Sequence, residues 1–456
     1  MTRLVTAVLT CLFLSANLFA AVPASSERMN EIAKYYADNK LFSGAVLVAR
    51  GETVLFSKAY GLANVEWNIP NTTTTKFRIG SVTKQFTAAA VLLLEERGKL
   101  KTSDLIKTYF PEAPAIWQNI TLAQLLSHTS GIPNYTNVPD MAEFSARRMT
   151  PAEIANTVRN LPLDFAPGEQ MRYSNTGYVL LGIAIEKASG MPYENFLQEN
   201  FWVPLGMKDT GYDRNWKIIP QRASGYAQGP QGLQNSYYTN MSVPFSAGAL
   251  YSTVGDLLIW ERALFGKKVL SDASLAKMTT PNKGDYGFGL FISTRGGHKI
   301  IEHGGGISGF TSKLTYYPDE QIVVVALSNI SAGADEVAGK LGPAAVGDEV
   351  KLPSERKSVT VPKQVLEKYV GTYRIGPSLN IWFTIDGAGL TSHATGQPKF
   401  PLGAESDSVF YTIAFEAQLE FQKDASGKVV SVTINQNGRA TVAPRISDSI
   451  PSALNP

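Results

Sequence analysis

Cysteine and histidine are scarce in this sequence, which has one cysteine and four histidines among 456 residues. Cys11 lies in an N-terminal segment that we expect to be removed, so the mature chain would have no disulfide, no thiolate nucleophile and no cysteine-bound metal. The histidines are His128, His298, His303 and His393, and none belongs to an H-E-x-x-H zinc motif. We therefore expect an activity that needs no metal and no cofactor.

The sequence also lacks an excess of charge of one sign. Lysine and arginine number 42 against 39 acidic residues, which gives a formal net charge of +3. We therefore expect no nucleic-acid partner. Hydrophobic residues make up 44% and charged residues 18%, a composition that predicts a folded protein with a large core. The length suggests about three domains, or one large and one small domain.

Residues 1–24 have the pattern of a secretory signal peptide. A basic residue precedes an apolar run over 4–14, and small residues follow up to Ala24, after which we place the cleavage site. The run is short for a bilayer span, which needs about 20 apolar residues, although a membrane anchor is the alternative. Lipidation of Cys11 is disfavoured because Thr10 precedes it. We expect a bacterial periplasmic or secreted protein with no membrane span after cleavage.

Residues 25–350 combine strand and helix patterns. Strands are predicted over 43–60 (a hairpin), 286–294, 299–303, 311–317 and 322–329, and helices over 30–39, 82–97, 176–188 and 335–346. The strands thus occupy the two ends of the region and the helices its middle. This segregation predicts an α+β domain in which an antiparallel sheet packs against helices.

A smaller domain is predicted to follow. The polar stretch 351–363 contains two prolines and is typical of a linker. In 364–456, short β-rich runs alternate with glycine, asparagine, aspartate and serine. The predicted strands are 369–373, 380–385, 409–414, 418–422 and 429–434. We predict a small all-β barrel, closed so that no sheet edge is left bare.

Ser81-Val-Thr-Lys84 is the first candidate catalytic element. Residues i and i+3 of a helix share a face, so both side chains would point into one site. A serine hydroxyl becomes a nucleophile when a neighbour takes its proton, and a lysine with a lowered pKa can do this. Two other S-x-x-K tetrads begin at Ser274 and Ser354, but only Ser81 begins a long apolar helix, as its predicted N-cap after Gly80.

Tyr173-Ser-Asn175 is the second element. A tyrosine beside a lysine can act as a base, and an asparagine amide can hold a substrate amide. The same Y-x-N pattern begins at Tyr135, Tyr193 and Tyr238, but only Tyr173 directly precedes an apolar helix.

Glu302-His303-Gly-Gly-Gly306 is the third element, at the end of a predicted strand. Glycines there would let a substrate lie against the strand edge and would offer backbone N–H groups to an oxyanion. The alternative interpretation is a glycine-rich turn with His303 on the surface.

In this order and spacing, the three elements resemble those of the serine β-lactamase and penicillin-binding protein superfamily, which includes class C β-lactamases, D-aminopeptidases, DD-carboxypeptidases and esterases. Supporting stretches are 77–81, 125–131, 167–168 and 247–256, and the resemblance covers residues 29–346. It implies a β-lactamase-like three-layer domain, an antiparallel sheet flanked by helices, with a helical subdomain. Residues 366–374 resemble the start of the lipocalin-like barrel appended to several such enzymes.

The resemblance also implies roles for individual residues. The catalytic residues would be Ser81 as nucleophile, Lys84 sharing its proton, and Tyr173 as general base that later activates water. The substrate-binding residues would be Asn175, His303, Gly304, Gly305 and Gly306. The backbone N–H groups of Ser81 and Gly306 would form the oxyanion hole. Arg78, His128 and Lys283 are left as structural or surface residues.

The implied function is an exported serine hydrolase that forms an acyl-enzyme on Ser81. It would cleave amide or peptide bonds in peptides containing D-amino acids, or small esters, with a small molecule, peptide or ester as its only expected partner. The alternatives are a class C type β-lactamase and a penicillin-binding sensor module with little turnover. A lipase of the α/β-hydrolase fold is excluded because no G-x-S-x-G pentapeptide occurs.

His303 bears on the choice of substrate. The K-T-G version of the motif has lysine at this position, a permanent cation that can receive the carboxylate of a β-lactam, whereas histidine is only partly charged at neutral pH. Efficient β-lactam hydrolysis is therefore not expected. The substrate, the oligomeric state and whether the barrel reaches the active site stay open.

Overall fold

The structure, a computed structural model, describes residues 25–451 except 140, 230–231, 377–378, 396–398, 413–416 and 437–438. The predicted signal peptide, including Cys11, lies outside the described residues. Within the described part, no helix has the length and apolarity needed to cross a bilayer.

The first domain contains the following elements. Its strands are β1 (Gly44–Arg50), β2 (Thr53–Tyr60), β3 (Leu62–Asn64), β4 (Ile69–Pro70), β5 (Phe77–Arg78), β6 (Gly211–Tyr212), β7 (Tyr226–Gly229), β8 (Gly232–Asn235), β9 (Leu250–Ser252), β10 (Phe291–Arg295), β11 (His298–Ile307), β12 (Phe310–Tyr317) and β13 (Ile322–Ser328). Its helices are α1 (Ser26–Asp38), α2 (Thr83–Glu96), α3 (Leu122–Leu126), α4 (Met141–Ala146), α5 (Pro151–Asn156), α6 (Asn175–Ser189), α7 (Tyr193–Leu197), α8 (Val203–Leu205), α9 (Phe245–Gly248), α10 (Val254–Phe265), α11 (Asp272–Met278) and α12 (Ala334–Val346).

The central sheet has the strand order β10-β11-β12-β13-β1-β2, and all of its neighbouring strands are antiparallel. Side chains alternate between the two faces of a strand, so β1 contributes to two cores. Leu47 packs with the helices of the middle region, and Val46 and Val48 pack under α1 and α12. The result is three layers, with the sheet between α1 and α12 on one face and the helical region on the other.

Two buried helices meet near one edge of the sheet. The sequence of α2 is rich in alanine and leucine, which favour helix, and nearly all of it is buried. The helix ends before Gly98, whose positive φ of 66° allows the chain to turn back. The N-termini of α2 and α6 face the strand β11, and this meeting point holds the candidate site.

A closed eight-stranded barrel forms the second domain. After α13 (Lys363–Leu366), its strands are β14 (Gly371–Gly376), β15 (Leu379–Asp386), β16 (Gly389–Ala394), β17 (Lys399–Ala404), β18 (Val409–Thr412), β19 (Ala417–Lys423), β20 (Val429–Gln436) and β21 (Arg439–Ser447). Its centre is filled by aromatic side chains, with Tyr369 stacked on Phe421 at 4.3 Å between ring centroids. The interior is therefore a packed core.

The two domains face each other across a polar cleft of about 770 Å³. Its walls include Glu302 from β11, and Arg356 and Glu405 from the linker and barrel. Arg356 and Glu405 form an ion pair at 2.9 Å. Because neighbouring residues of a strand point to opposite faces, Glu302 faces this cleft and His303 faces the other side of the sheet.

The α+β fold class and the closed barrel are confirmed, but several boundaries differ from prediction. Strand β11 runs through its glycines instead of ending before them, and β10 begins at Phe291 instead of 286. Three barrel strands, β16, β17 and β21, were not predicted, and residues 413–414 of the predicted strand 409–414 lie outside the described residues. Strand β21 was missed because it carries Pro444, which disfavours a strand assignment from sequence.

Candidate active site

Ser81 lies in a tight turn that joins β5 to α2. The turn is a 3₁₀ helix over Gly80–Val82, and α2 begins at Thr83, so Ser81 does not cap the helix as predicted. Gly80 has a φ of 49°, and a Cβ there would lie 2.9 Å from the backbone nitrogen of Gly306. A side chain at position 80 would therefore push the turn away from β11, and glycine keeps Ser81 beside that strand.

Lys84 lies one turn after Ser81 and is fully buried. Its Nζ lies 2.9 Å from Ser81 Oγ, 2.8 Å from Asn175 Oδ1 and 2.8 Å from the Ala247 carbonyl oxygen. Burial lowers the pKa of Lys84 well below its usual value, because the ammonium ion would lose its hydration. The amine is thus directed at the serine and biased toward the form that can accept a proton.

Tyr173 lies just before α6, and its ring lies beside Lys84. Lys84 Nζ lies 4.8 Å from the centre of its ring. Burial raises the pKa of the Tyr173 hydroxyl, and an interaction with the Ser81 hydroxyl offsets part of the rise. Opposite shifts at Lys84 and Tyr173 favour the neutral amine paired with the neutral phenol.

Asn175, the first residue of α6, is held mainly by the protein itself. Its Oδ1 accepts from Lys84, and its backbone N–H and Nδ2 both donate to Asn134 Oδ1, at 3.1 and 3.3 Å. The amide therefore fixes the direction of the lysine. It also lines the site cavity, where a substrate would lie beside it.

The glycines of β11 pass directly under the Ser81 turn. A Cβ at Gly305 would lie 2.1 Å from the carbonyl oxygen of Ile79, so only glycine allows this approach. Gly306 is exposed, and a Cβ there would meet nothing within 4 Å. The Gly306 backbone thus faces open space next to the serine, the position that an oxyanion donor needs.

His303 lies behind the site and is 2% exposed. Its Nδ1 lies 2.6 Å from the carbonyl oxygen of Gly304, which can only accept, so Nδ1 carries the proton. Its Nε2 then accepts from the Tyr286 hydroxyl at 3.0 Å. Burial and the nearby Lys84 lower the pKa of His303 to about 3, which leaves the ring neutral at pH 7.

The sequence predicts a structural or surface role for His128, and the structure places it in the buried wall of the site. Its ring lies 4.2 Å from that of Tyr173 and 4.6 Å from that of Tyr286, and its Nδ1 accepts from the Ser174 N–H at 3.2 Å. It therefore positions Tyr173. The one sequence signal for such a role was its place in the stretch 125–131. The structure adds that His128 has a φ of 57°, which is unusual for a residue other than glycine.

A cavity of about 210 Å³ opens over Ser81. Of the predicted substrate-binding residues, Asn175 and Gly306 line it, whereas His303, Gly304 and Gly305 lie behind its wall. All of its lining residues fall between Gly80 and Ser308, so no described part of the barrel reaches it.

The other S-x-x-K tetrads lie away from this arrangement. Lys277, at the end of one tetrad, pairs with Glu95 at 2.7 Å, and Ser354, at the start of the other, is exposed on the linker. Only at Ser81 do the hydroxyl, a buried amine and a phenol come together, and this set can move protons to and from a reacting serine.

Comparisons with known proteins agree with the resemblance. The β-lactamase family model matches residues 29–345, and a domain of unknown function, DUF3471, matches residues 355–446. Penicillin-binding protein 4* of Bacillus subtilis is 30% identical over 410 residues, which cover 83% of this chain and 90% of that protein.

Two solved structures are also similar. The octameric penicillin-binding protein homologue from Pyrococcus abyssi is 25% identical, with a TM-score of 0.66 over 91% of this chain and 99% of that chain. The D-amino acid amidase from Ochrobactrum anthropi SV3, complexed with L-phenylalanine amide, is 26% identical, with a TM-score of 0.61 over 70% of this chain and 97% of that chain.

Proposed function

The chain belongs to the β-lactamase family, and on that premise we propose that it is an exported serine hydrolase that transfers an acyl group from an amide or ester first to Ser81 and then to water. One observation carries this proposal: the buried Lys84 amine lies 2.9 Å from the Ser81 hydroxyl at the floor of an open cavity. A serine with such a partner is a nucleophile, whereas a serine kept only to bind a ligand needs no proton acceptor.

In acylation, the neutral Lys84 takes the proton of Ser81 as Oγ attacks the substrate carbonyl. The oxyanion accepts hydrogen bonds from the N–H groups of Ser81 and Gly306. Tyr173 then gives its proton to the leaving group, which departs with the electron pair of the broken bond. This leaves an ammonium ion and a phenolate close together, since Lys84 Nζ and the ring centre are 4.8 Å apart.

Deacylation reverses these proton movements. The Tyr173 phenolate takes a proton from water, the resulting hydroxide attacks the acyl carbonyl, and Lys84 returns its proton to Ser81 Oγ. Tyr173 is thus a proton donor in the first half and a base in the second, and the neutral starting pair supports this order.

Amides or peptides containing D-amino acids are one substrate class supported by similarity, because a structural relative is a D-amino acid amidase. Small esters react through the same steps. Penicillin binding with little turnover is the second candidate, and similarity to penicillin-binding protein 4* favours it.

The test combines trapping and turnover. Intact-mass spectrometry after mixing with a fluorescent penicillin, with a p-nitrophenyl ester assayed in parallel, should show an adduct or turnover that Ser81→Ala abolishes. Ser354→Ala removes the serine of an exposed tetrad and is the matched control. A long-lived penicillin adduct without turnover of esters or amides would favour the binding module, and full activity in Ser81→Ala would refute the assignment.

Export through residues 1–24 is part of what we propose and is tested separately. Expression of the full sequence in a bacterium, followed by N-terminal sequencing of the protein released from the periplasm, should give a chain beginning at Ser25. A chain that keeps its first residues in the cytoplasm would refute export without touching the assignment of Ser81.

A further inference from the structure

We propose that the site accepts acyl donors that carry no charge beside the scissile bond, with a small apolar acyl group in the cavity. This inference rests on the proposed function, because it concerns the substrate of the same serine. It departs from substrates that are recognised through a carboxylate or an ammonium group.

The walls of the cavity are built from uncharged side chains. One wall is apolar, and it consists of Tyr135, Met141, Val243, Pro244, Ala247 and Ile307. The Tyr135 hydroxyl already donates to the Val243 carbonyl oxygen at 3.1 Å, so the residue presents its ring to the cavity. The remaining side chains that line the space beyond Ser81 and Asn175 are hydroxyls of serine and threonine.

The two basic side chains of the site, Lys84 and His303, are held toward their neutral forms and already have their hydrogen bonds made. Lys84 has three N–H donors at most, and three acceptors surround its Nζ at 2.8–2.9 Å. His303 uses one ring nitrogen on the Gly304 carbonyl and the other on Tyr286, behind the cavity wall. A substrate carboxylate would therefore enter the cavity without a charged partner among the residues that the structure describes.

The size of the cavity agrees with a small group. A volume of about 210 Å³ has room for about seven groups of the size of a water molecule, at roughly 30 Å³ each, which fits a small acyl group beside the reacting carbonyl. Removing an unpaired charge from water is strongly unfavourable, so we expect charged analogues to react about 100-fold more slowly or worse.

Three thioesters of different charge test this inference, and each charged one differs from the neutral one by the loss of a single methyl or acetyl group. The neutral substrate is the thioester of N-acetyl-D-alanine with methyl thioglycolate, the anionic one has the free thioglycolate carboxylate, and the cationic one has the free alanine amine. Released thiol is measured with a chromogenic disulfide, which suits a mature chain without cysteine. We expect kcat/KM for the neutral thioester to exceed both others by about 100-fold.

A pair of variants links the preference to the cavity. Thr239 lines the mouth and is half-buried. Thr239→Lys should raise the anionic-to-neutral ratio of kcat/KM by about tenfold, whereas Thr239→Met, of similar length but uncharged, should not. Asp140 precedes Met141 but lies outside the described residues, so Asp140→Asn is included and should leave the order of the three substrates unchanged.

The outcomes separate the two proposals. Acylation of Ser81 with equal or better use of either charged thioester would overturn the present inference and leave the serine hydrolase intact. Preference for the cationic thioester that disappears in Asp140→Asn would also overturn the present inference, and it would identify Asp140 as the partner of the charged substrate. If none of the three thioesters acylates Ser81 in intact-mass spectra, the proposed function fails, and this inference fails with it.

Discussion

Replacing His303 by glutamine should make the protein less sensitive to acid. The folded protein holds His303 with a pKa of about 3, against the ordinary value of 6.5 in the unfolded chain. Between these two pH values the unfolded state binds one more proton, so stability falls as the pH falls. Well below pH 6.5 each pH unit then costs about 1.4 kcal/mol, and because the dependence is half as steep at pH 6.5 itself, the cost between pH 6.5 and 4.5 is roughly 2 kcal/mol.

The assay is urea unfolding at pH values from 7.5 to 4.5, followed by tryptophan fluorescence, with the first domain reported by the buried Trp117 and Trp260. Titration of carboxylates affects both proteins equally, so the informative quantity is the difference in free energy of unfolding between wild type and His303→Gln. Glutamine keeps one donor and one acceptor, and any fixed loss it causes does not depend on pH. We expect the difference to shift by about 1.4 kcal/mol per pH unit, in favour of the variant as the pH falls.

His298→Gln is a control of opposite sign. Glu320, which is hydrogen-bonded to His298, raises the pKa of this histidine, so its contribution is present at low pH and is lost as the pH rises through the raised pKa. His298→Gln should therefore lose most stability at low pH. If the difference in free energy of unfolding between wild type and His303→Gln stays constant from pH 6.5 to 4.5, the assignment of His303 as a neutral, buried ring is refuted.

Three further predictions concern the site. Lys84→Met should lower kcat about 10²- to 10⁴-fold without loss of thermal stability, because the buried amine is replaced by an apolar chain of similar length. In the wild type, the acid limb of the kcat/KM profile should report the lowered pKa of Lys84. A stable variant with normal kcat would contradict Lys84 as the proton acceptor. Tyr173→Phe should slow both acylation and deacylation in single-turnover measurements by about 10²-fold or more, and unchanged rates would remove Tyr173 from the mechanism. Gly305→Ala should lower the free energy of unfolding by about 2 kcal/mol, because the new Cβ would lie 2.1 Å from the carbonyl oxygen of Ile79. Gly306→Ala should fold normally, because a Cβ there meets nothing within 4 Å. Equal stability of the two variants in urea unfolding would refute the close packing of this strand against Ile79.

Local patterns predicted much of this fold. The residues themselves show the apolar stretches of α2 and α6 and the continuous apolar runs of β1 and β13. They also show the spacing that puts Ser81 and Lys84 on one face. The resemblance of the motifs then supplied Tyr173 and β11, which come together only in three dimensions.

The errors came from close approaches between distant segments. Glycines suggested the end of a strand after His303, but Gly305 is needed because Ile79 lies against the strand. The N-cap assigned to Ser81 failed because Gly80 turns the chain and Ser81 bonds Lys84 instead of a backbone N–H. Burial of His303 depends on Tyr286, whose position relative to the sheet no local pattern reveals.

The strand order of the central sheet also determines how late in synthesis the sheet can form. Strand β1 precedes the whole helical region in the chain, yet Gly44 pairs with Ser328 on β13. During synthesis the β1–β2 hairpin must therefore wait, with one edge unpaired and only α1 available to cover Val46 and Val48, until β13 and α12 have emerged. A hairpin alone is marginally stable, and an open apolar edge invites aggregation. Any truncation before residue 328 would thus leave a nascent chain that cannot complete its sheet.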